Sequence, residues 1–446
     1  MLLKKCQVIL LIVLILTGVK ISTAQDTLRL SLNDALKMAQ DNNLNIKNSQ
    51  LDLKIAQKKI WETLAIGLPH VDGTAKYTFT PKVPTLPASN FDPNAKPGDV
   101  IELGVKQNIV YDLTVSQLIF NGAYLIGLKA SKVYSNLSEE SLEKSILDIN
   151  ESVTNTYYMI LVGEESRKIL KSNLVNVNKT FDEIREMYKQ GFVEKTDADQ
   201  LELTANTITN AISQINNNLE MARRLLKIHL GLSEISNVVL TDQLEMEELQ
   251  ISNLTKLSGE SFILEQNIDF KMLTTSELLA KYDYKREMTN SLPSISAYYN
   301  HQEKWKTPAF DFAPKDVFGI SLSLPIFSSG QRSSLVAQKR LAFEKATNNK
   351  LYVGNTLLMQ SSQLQNDLRT KIEKFQIQKK SKDLSDVIYQ RTLEKYKQGV
   401  STSMELMTIQ NQYLNSLTDY YQGIYDVVGA KTKLEKLFNI NQKISK

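Results

Sequence analysis

The sequence predicts a mainly α-helical protein with a small β part, in which one pattern of strands and long helices occurs twice. All ten prolines among the 446 residues lie at positions 69–97 and 293–325. Because proline inside a helix costs about 3 kcal/mol, we expect the long proline-free tracts, rich in Leu, Lys, Glu, Gln and Asn, to be helical. Near the proline windows apolar residues alternate with polar ones, which is typical of strands.

The first residues predict an exported protein. Lys4 and Lys5 precede an apolar run of nine residues, 8–16, and small residues at 22–24 come before Gln25. This is the pattern of a secretory signal peptide, so we expect residues 1–24 to be cleaved. Nine apolar residues are too few for a helix across a bilayer, which needs about 20.

Composition excludes several classes of function. Residues 1–24 carry three lysines and no acid, so without them the formal charge falls from +4 to +1, which does not indicate a nucleic-acid partner. The one cysteine, Cys6, lies in the predicted signal peptide and offers no disulfide. After that segment no stretch holds 18 consecutive apolar residues, so a membrane span would have to be made from strands.

Four segments alternate with a period of two, and we expect strands at about 70–80, 107–118, 294–302 and 316–325. In "FGISLSL", Phe318, Ile320 and Leu322 share one face and Ser321 and Ser323 the other. Two ordinary hairpins on a soluble core would also show this pattern. The signal peptide and the abundance of Tyr and Phe favour strands of an outer-membrane barrel.

The two halves of the chain repeat one another, which predicts a tandem duplication with repeats at 25–250 and 251–446. "MYKQG" at 187–191 returns as "KYKQG" at 395–399. Both Gly122 to Gln190 and Gly330 to Gln398 span 69 residues, enough for a helix of about 100 Å. The first loop between strands is 17 residues longer than the second and carries five prolines, so we expect it to be an exposed excursion.

The repeated glycines, Gly191 and Gly399, predict helix ends followed by reversals, with hairpin tips at 188–196 and 396–404. Capping of the return helices is expected from Thr196 or Asp197 in the first half and from Ser401 or Ser403 in the second. Each return helix carries an apolar stripe with spacings of four and three, so adjacent helices should coil around one another. The stripes are Leu201, Ala205, Ile208, Ile212, Ile215, Leu219, Ala222 and Leu226, and Ile409, Tyr413, Ser416, Tyr420, Gly423, Val427, Ala430 and Leu434.

Four strands cannot close a barrel, and an open sheet edge in lipid leaves backbone groups unsatisfied, so membrane strands require several copies of the chain. Three copies give twelve strands, an even number within the range of outer-membrane barrels. Other multiples of four stay open at this point.

The combined motifs resemble the TolC-like outer-membrane efflux protein family over essentially the whole chain after residue 24. They are "LSLNDALKMAQDNN" from residue 30, "LP" before the first strand of each half, "LPIFSSG" at 324–330, and a Y-x-x-G tip before a heptad helix in both halves. The resemblance implies a homotrimer with a twelve-stranded outer-membrane β-barrel continued by a long periplasmic α-helical coiled-coil barrel. It implies an exit duct of a tripartite efflux or type I secretion system, which passively conducts substrates from an inner-membrane pump and a periplasmic adaptor protein.

The resemblance also assigns roles at the tips. It implies adaptor contacts at Tyr188, Gly191, Tyr396, Gly399 and Ser401, although packing under the turn explains Tyr188 and Tyr396 equally well. The family often places an acid six residues after the second tip glycine, in a negatively charged constriction. That acid is Glu405, with Asp197 as its counterpart in the first half. Capping, or a favourable first-turn position worth up to about 1 kcal/mol, explains both acids equally well.

The sequence departs from some relatives at the second tip, because Thr408 stands where they carry another acid and Ser401 where they carry a basic gate residue. No nucleophile motif, phosphate loop or dinucleotide fingerprint is present, so we expect neither an enzyme nor a cofactor. The three histidines have no metal-ligand spacing, so no metal site is expected.

Two other classes stay open. A periplasmic coiled-coil scaffold or adhesin without a channel would explain the signal peptide and the heptads, but not the four strands. A monomeric porin-like channel would need at least eight strands in one chain.

Overall fold

The computed structural model describes residues 27–91, 93–242, 244, 251–308 and 311–440, so the predicted signal peptide lies outside the described residues. The chain divides into two compact units. Within the described range, the coiled-coil unit comprises residues 27–48, 144–263 and 357–440, and the sheet unit comprises residues 49–143 and 264–356.

The described residues are mainly helical, with short strands at the positions that follow. The strands are β1 (Thr27–Leu30), β2 (His70–Phe79), β3 (Thr85–Pro87), β4 (Val100–Glu102), β5 (Gln107–Phe120), β6 (Asn237–Leu240), β7 (Ser294–Lys304) and β8 (Asp316–Ser323). The α-helices are α1 (Leu32–Asn42), α2 (Leu44–Ala65), α3 (Gly122–Lys189), α4 (Lys195–Leu230), α5 (Ile251–Ser258), α6 (Ile268–Thr289), α7 (Gln331–Lys397) and α8 (Ser403–Leu437).

The sheet unit contains a four-stranded antiparallel sheet in the order β2-β5-β7-β8. The alternation within each segment sets the register, because apolar residues face apolar partners across the sheet. Ile295 pairs with Leu322, Ala297 with Ile320, and Tyr299 with Phe318. A register shift interrupts the pairing of β5 with β7 between Leu118 and Phe120, at the end of β5 that leads into α3.

Both faces of this sheet are open within the described chain. Every residue of β2 is exposed. On the apolar face of β8, Phe318 is 74% exposed, Ile320 69% and Leu322 65%. Burying side chains of this size stabilises a protein by about 1.5–3 kcal/mol each, so a soluble protein would cover them. Among the described residues, the two hairpins are therefore not packed on a core.

The helices of the sheet unit follow the order of the strands to which they connect. The Tyr124 hydroxyl of α3 donates to the carbonyl of Leu64 in α2 at 3.3 Å. On the other side of α3, the Thr275 hydroxyl of α6 donates to the Glu140 carboxylate at 2.8 Å. Glu277 of α6 in turn accepts hydrogen bonds from Thr347 and Lys350 of α7. The order α2-α3-α6-α7 thus repeats the order β2-β5-β7-β8.

The long loop between β2 and β5 is not wholly irregular. It contains the small antiparallel pair β3 and β4, in which Leu86 pairs with Ile101. Pro87 tolerates this position because each strand of a two-stranded pair has one free edge, where no backbone N–H is needed.

The coiled-coil unit has a small parallel pair, β1 and β6, beside α1. The α1 helix begins with a capping box, in which Ser31 Oγ accepts from the backbone N–H of Asp34 and the Asp34 carboxylate accepts from the backbone N–H of Ser31. The buried Tyr157 hydroxyl donates to the carbonyl of Leu30 at 3.1 Å and fixes β1 to α3.

The heptad stripe of α4 packs as predicted. Leu201, Ile208, Ile212, Leu219, Ala222 and Leu226 are buried. In α8 the C-terminal part of the predicted stripe is buried, from Tyr420 to Leu434. In the N-terminal part, Ile409, Tyr413 and Ser416 are only half-buried, and the buried residues there are Leu406, Gln410 and Leu417. In the N-terminal part of α8, the buried side of the helix therefore differs from the predicted stripe, and it includes the polar residue Gln410.

Candidate functional site

The repeated pentapeptide forms two helix ends of the same geometry. At the end of α3, Gly191 has φ +80, its N–H donates to the carbonyl of Tyr188 at 2.9 Å, and the N–H of Phe192 donates to Met187 at 3.0 Å. At the end of α7, Gly399 has φ +71 and the equivalent bonds of Gly399 and Val400 are both 2.9 Å long. Both ends are Schellman motifs, which need a residue in the left-handed conformation, so glycine is repeated at this position.

The return helices begin at residues other than the predicted caps. The N-cap of α4 is Glu194, whose backbone N–H donates to the Asp197 carboxylate at 3.3 Å. The N-cap of α8 is Thr402, whose Oγ1 accepts from the backbone N–H of Glu405 at 3.2 Å. The predicted caps Thr196, Ser401 and Ser403 are wrong. Asp197 does take part in capping, but from the third position of the helix.

The two tips are joined by a hydrogen bond in which the Ser403 hydroxyl of α8 donates to the Asp197 carboxylate of α4. Tyr396, in the last turn of α7, packs against the apolar cluster of the first tip, which contains Ile184, Ala198 and Leu201. Burial of its hydroxyl, with a smaller contribution from the nearby Asp197 carboxylate, raises the pKa of Tyr396 to about 12. Tyr396 is therefore neutral at physiological pH and acts here as a packing residue.

The remaining predicted tip residues face solvent or neighbours within their own tip. Tyr188 is exposed, and both glycines have open space where a Cβ would be. The Ser401 hydroxyl donates to the exposed Glu405 carboxylate at 2.7 Å. The structure thus brings Asp197 and Tyr396 together, and Ser401 and Glu405 together.

The outermost apolar residues of the tips are ones that the sequence reasoning missed. Phe192 and Val400, each directly after its tip glycine, are both 72% exposed. The signal in the sequence was the apolar residue that follows glycine in each copy of the repeat. Large apolar side chains on a turn are exposed only at a cost in free energy, and they mark a surface that a partner can cover.

The polar face of the sheet carries a hydrogen-bonded network of side chains. The Gln302 amide donates to the Asp112 carboxylate at 2.8 Å, and the Asn300 amide donates to the Thr114 hydroxyl at 2.9 Å. These pairs hold polar side chains on one face of the sheet, opposite the apolar face of β8.

No group of three or more His, Cys, Asp or Glu residues in the described chain is arranged to hold a metal ion. His301 contacts Asp316 at 2.7 Å and His70 begins β2, while His229 is half-buried in α4, where burial lowers its pKa. Among the described residues no helix is both long enough and apolar enough to span a membrane.

Comparison with known proteins identifies the family. The family model of outer membrane efflux proteins matches residues 35–232 and 261–439. No curated protein sequence matches the chain.

Solved structures show the same fold at low sequence identity. The outer membrane channel CmeC of Campylobacter jejuni is similar with a TM-score of 0.77 and 18% identity, covering 92% of this chain and 85% of that one. VceC of Vibrio cholerae has a TM-score of 0.71 and 14% identity, with 92% and 96% covered. The open state of MtrE of Neisseria gonorrhoeae has a TM-score of 0.69 and 14% identity, with 92% and 88% covered.

The family comprises efflux channels rather than enzymes. Because its model covers most of the chain, the protein belongs to the outer membrane efflux protein family, resides in the outer membrane and is an exit duct of an efflux system.

Proposed function

We propose that three copies of this chain close a single twelve-stranded outer-membrane barrel. The observation that carries the proposal is a four-stranded sheet with two open edges, β2 and β8, and an uncovered apolar face within the described chain. In lipid an open edge leaves backbone N–H and C=O groups without partners, so β8 of one copy must pair with β2 of the next. The tandem duplication explains why each copy supplies two hairpins.

The two faces of the sheet divide the roles in such a barrel. The apolar face of β8, with Phe318, Ile320 and Leu322, contacts outer-membrane lipid. The opposite face, with the Asp112 and Gln302 pair, lines a water-filled bore.

The hairpin tips are proposed to lie in the periplasm and to contact an adaptor protein that links the duct to an inner-membrane pump. Tyr188, Gly191, Gly399 and Ser401 supply solvent-facing surface, and the exposed Phe192 and Val400 add apolar area. Tyr396 stabilises this surface by packing against the apolar cluster of the first tip.

Asp197 and Glu405 are proposed to line a constriction at the tips. Both acids lie in the first turn of their helices, where the helix dipole also favours a negative charge. In a three-fold ring these charges would add in a narrow bore, repel anions and favour cations.

The duct is passive in this proposal. It is not an enzyme and needs no cofactor, because the pump supplies the energy for efflux or type I secretion and selects the cargo. A periplasmic scaffold or adhesin is less well supported, because it gives no reason for an uncovered apolar face on the sheet.

Reconstitution of the mature protein in planar lipid bilayers tests this function, with matched lysine substitutions on neighbouring positions of β8. A lysine on the lipid face costs about 2–4 kcal/mol near the middle of the bilayer, whereas one in the bore stays hydrated. We expect channels from the wild type and from Ser321→Lys, and loss of membrane insertion for Ile320→Lys. Equal insertion of the two variants, or no conductance from the wild type, would contradict the duct.

A further inference from the structure

Tyr298 is an aromatic residue on the polar face of the sheet. It alternates along β7 with Tyr299, whose hydroxyl donates to Asp316 at 2.7 Å on the apolar side. Its neighbours at two-residue spacing on the same side are Ser296 and Asn300, and Asn300 belongs to the polar network. Under the proposed function, on which this inference rests, Tyr298 therefore points into the bore.

The ring of Tyr298 lies over Gly319, its register partner on β8. A Cβ placed on Gly319 would stand 2.6 Å from Cζ of Tyr298, 2.7 Å from its hydroxyl oxygen and 2.8 Å from Cε1. Such distances are well inside van der Waals contact, so the ring occupies the space that a side chain at 319 would take. The ring thus lies over the neighbouring strand β8 instead of extending away from the sheet. We call this face of the sheet the wall of the bore.

The backbone does not require glycine at position 319. Its φ is not in the left-handed region, unlike that of Gly191 or Gly399. Glycine within a strand is unfavourable unless a close approach needs it, because it adds backbone entropy to the unfolded state and packs no side chain. The close approach of the Tyr298 ring is the feature that explains it.

We propose that Gly319 is a positioning residue that holds Tyr298 against the wall and so sets the free width of the bore at this level. In three copies, three tyrosines lie at one level with His70 and Ser116, their register neighbours on β2 and β5. A side chain at 319 turns the ring away from the wall, because the colliding atoms are the far end of a side chain with free rotamers. Large cargo then meets three rings inside the bore.

A thiol placed beyond this level measures the width directly. Ser323→Cys lies on the same face of β8, four residues nearer the helices, and the sequence contains no cysteine after Cys6. Phe79 and Gln107, and Lys304 and Asp316, lie at the other end of the strands. Under the proposed function that end faces the outside, so maleimide reagents added outside intact cells reach position 323 by passing Tyr298. Maleimides on polyethylene glycol chains of increasing length then report the largest molecule that passes.

In the Ser323→Cys background, we expect Gly319→Ala to slow labelling about tenfold or more for the longest reagent that still modifies Ser323→Cys alone. Labelling by a small maleimide should slow by less than about twofold, since pore width limits large solutes first. Adding Tyr298→Ala to Gly319→Ala should restore the long reagent. Gly73→Ala on β2 is the matched control, because a Cβ there meets no atom within 4 Å.

Unchanged labelling of Gly319→Ala by the long reagent would overturn the proposal. So would a double variant that stays slow, since the cause would then be a distorted strand. An Ile320→Cys thiol on the lipid face distinguishes failure of the proposed duct from failure of this inference alone. If it reacts with water-soluble reagents as fast as Ser323→Cys, the strands do not divide bore from lipid, and the proposed function falls together with this inference.

Discussion

Replacement of the tip glycines by alanine isolates the cost of the left-handed backbone from every other effect. Gly191 and Gly399 have φ of +80 and +71, and a Cβ at either position would meet no atom within 4 Å. Steric collision therefore contributes nothing, and the penalty for an L-residue in this conformation, roughly 1–2 kcal/mol, remains.

This penalty lowers the free energy that is needed to open the helix end locally. The amides of Gly191 and Phe192 close the motif with bonds of 2.9 and 3.0 Å. A loss of about 1–2 kcal/mol increases the population of the open state roughly 5- to 30-fold, because each 1.4 kcal/mol is a factor of ten. Hydrogen exchange of the peptide around residue 191 should accelerate by that factor in Gly191→Ala.

Gly191→Asn is the matched control, because asparagine enters the left-handed region more readily than alanine. We expect its acceleration to be smaller than that of the alanine variant. The unchanged tip at Gly399 provides an internal reference in the same sample. If Gly191→Ala exchanges no faster than the wild type, or if alanine and asparagine behave alike, the assignment of the repeat to a conformational need is wrong.

Three further predictions concern the coiled-coil unit. Gly231→Ala should lower the unfolding midpoint more than Gly191→Ala does, because its φ is also positive at +66 and its Cβ would collide with the backbone of Asn42. Asp426→Asn should cost about 1 kcal/mol at neutral pH, since Lys371 donates to Asp426 at 2.9 Å. Burial acts to raise the pKa of Asp426, but the hydrogen bonds from Lys371 and Gln422, together with the charges of Lys371 and Lys374, outweigh it and hold the pKa below its ordinary value of 3.8. This stability is therefore present above pH 3.8 and is lost as the pH falls further. Ser403→Ala should widen the distance distribution between spin labels at positions 192 and 400, because it removes the hydroxyl that joins the tips.

The last two predictions have matched control variants, and the first is contradicted if Gly231→Ala lowers the midpoint no more than Gly191→Ala. Asp419→Asn, an exposed position of the same helix, should leave the unfolding midpoint unchanged at both neutral and acid pH. A difference between wild type and Asp426→Asn that persists unchanged at pH 2 would contradict the ion pair. Ser401→Ala should leave the spin-label distances as they are, because its hydroxyl bonds within its own tip.

The long helices and the strands could be predicted because each carries a periodic signal over many residues. The stripe from Leu201 to Leu226 appears in the sequence with spacings of four and three, and the structure buries six of its eight residues and half-buries Ala205 and Ile215. In the same way, the alternation of Phe318, Ile320 and Leu322 is enough to place β8.

Other features could not be predicted, because they depend on short or distant contacts. The strands β1 and β6 have four residues each and pair across more than 200 positions of sequence, so neither carries a usable period. At the second tip, residues 401–403 read Ser-Thr-Ser, and only the backbone conformation selects Thr402 as the cap. For Tyr188 and Tyr396 the sequence leaves adaptor contact and packing under the turn equally open, and only the packing of Tyr396 against the first tip distinguishes the two tyrosines.

The number of subunits in the extracted protein decides whether three copies share one barrel. The mature protein, extracted from outer membranes in mild detergent, is measured by native mass spectrometry. The open edges β2 and β8 and the uncovered apolar face of the sheet predict three subunits that precipitate when the detergent is removed. A monomer or dimer that stays soluble without detergent would contradict the shared barrel.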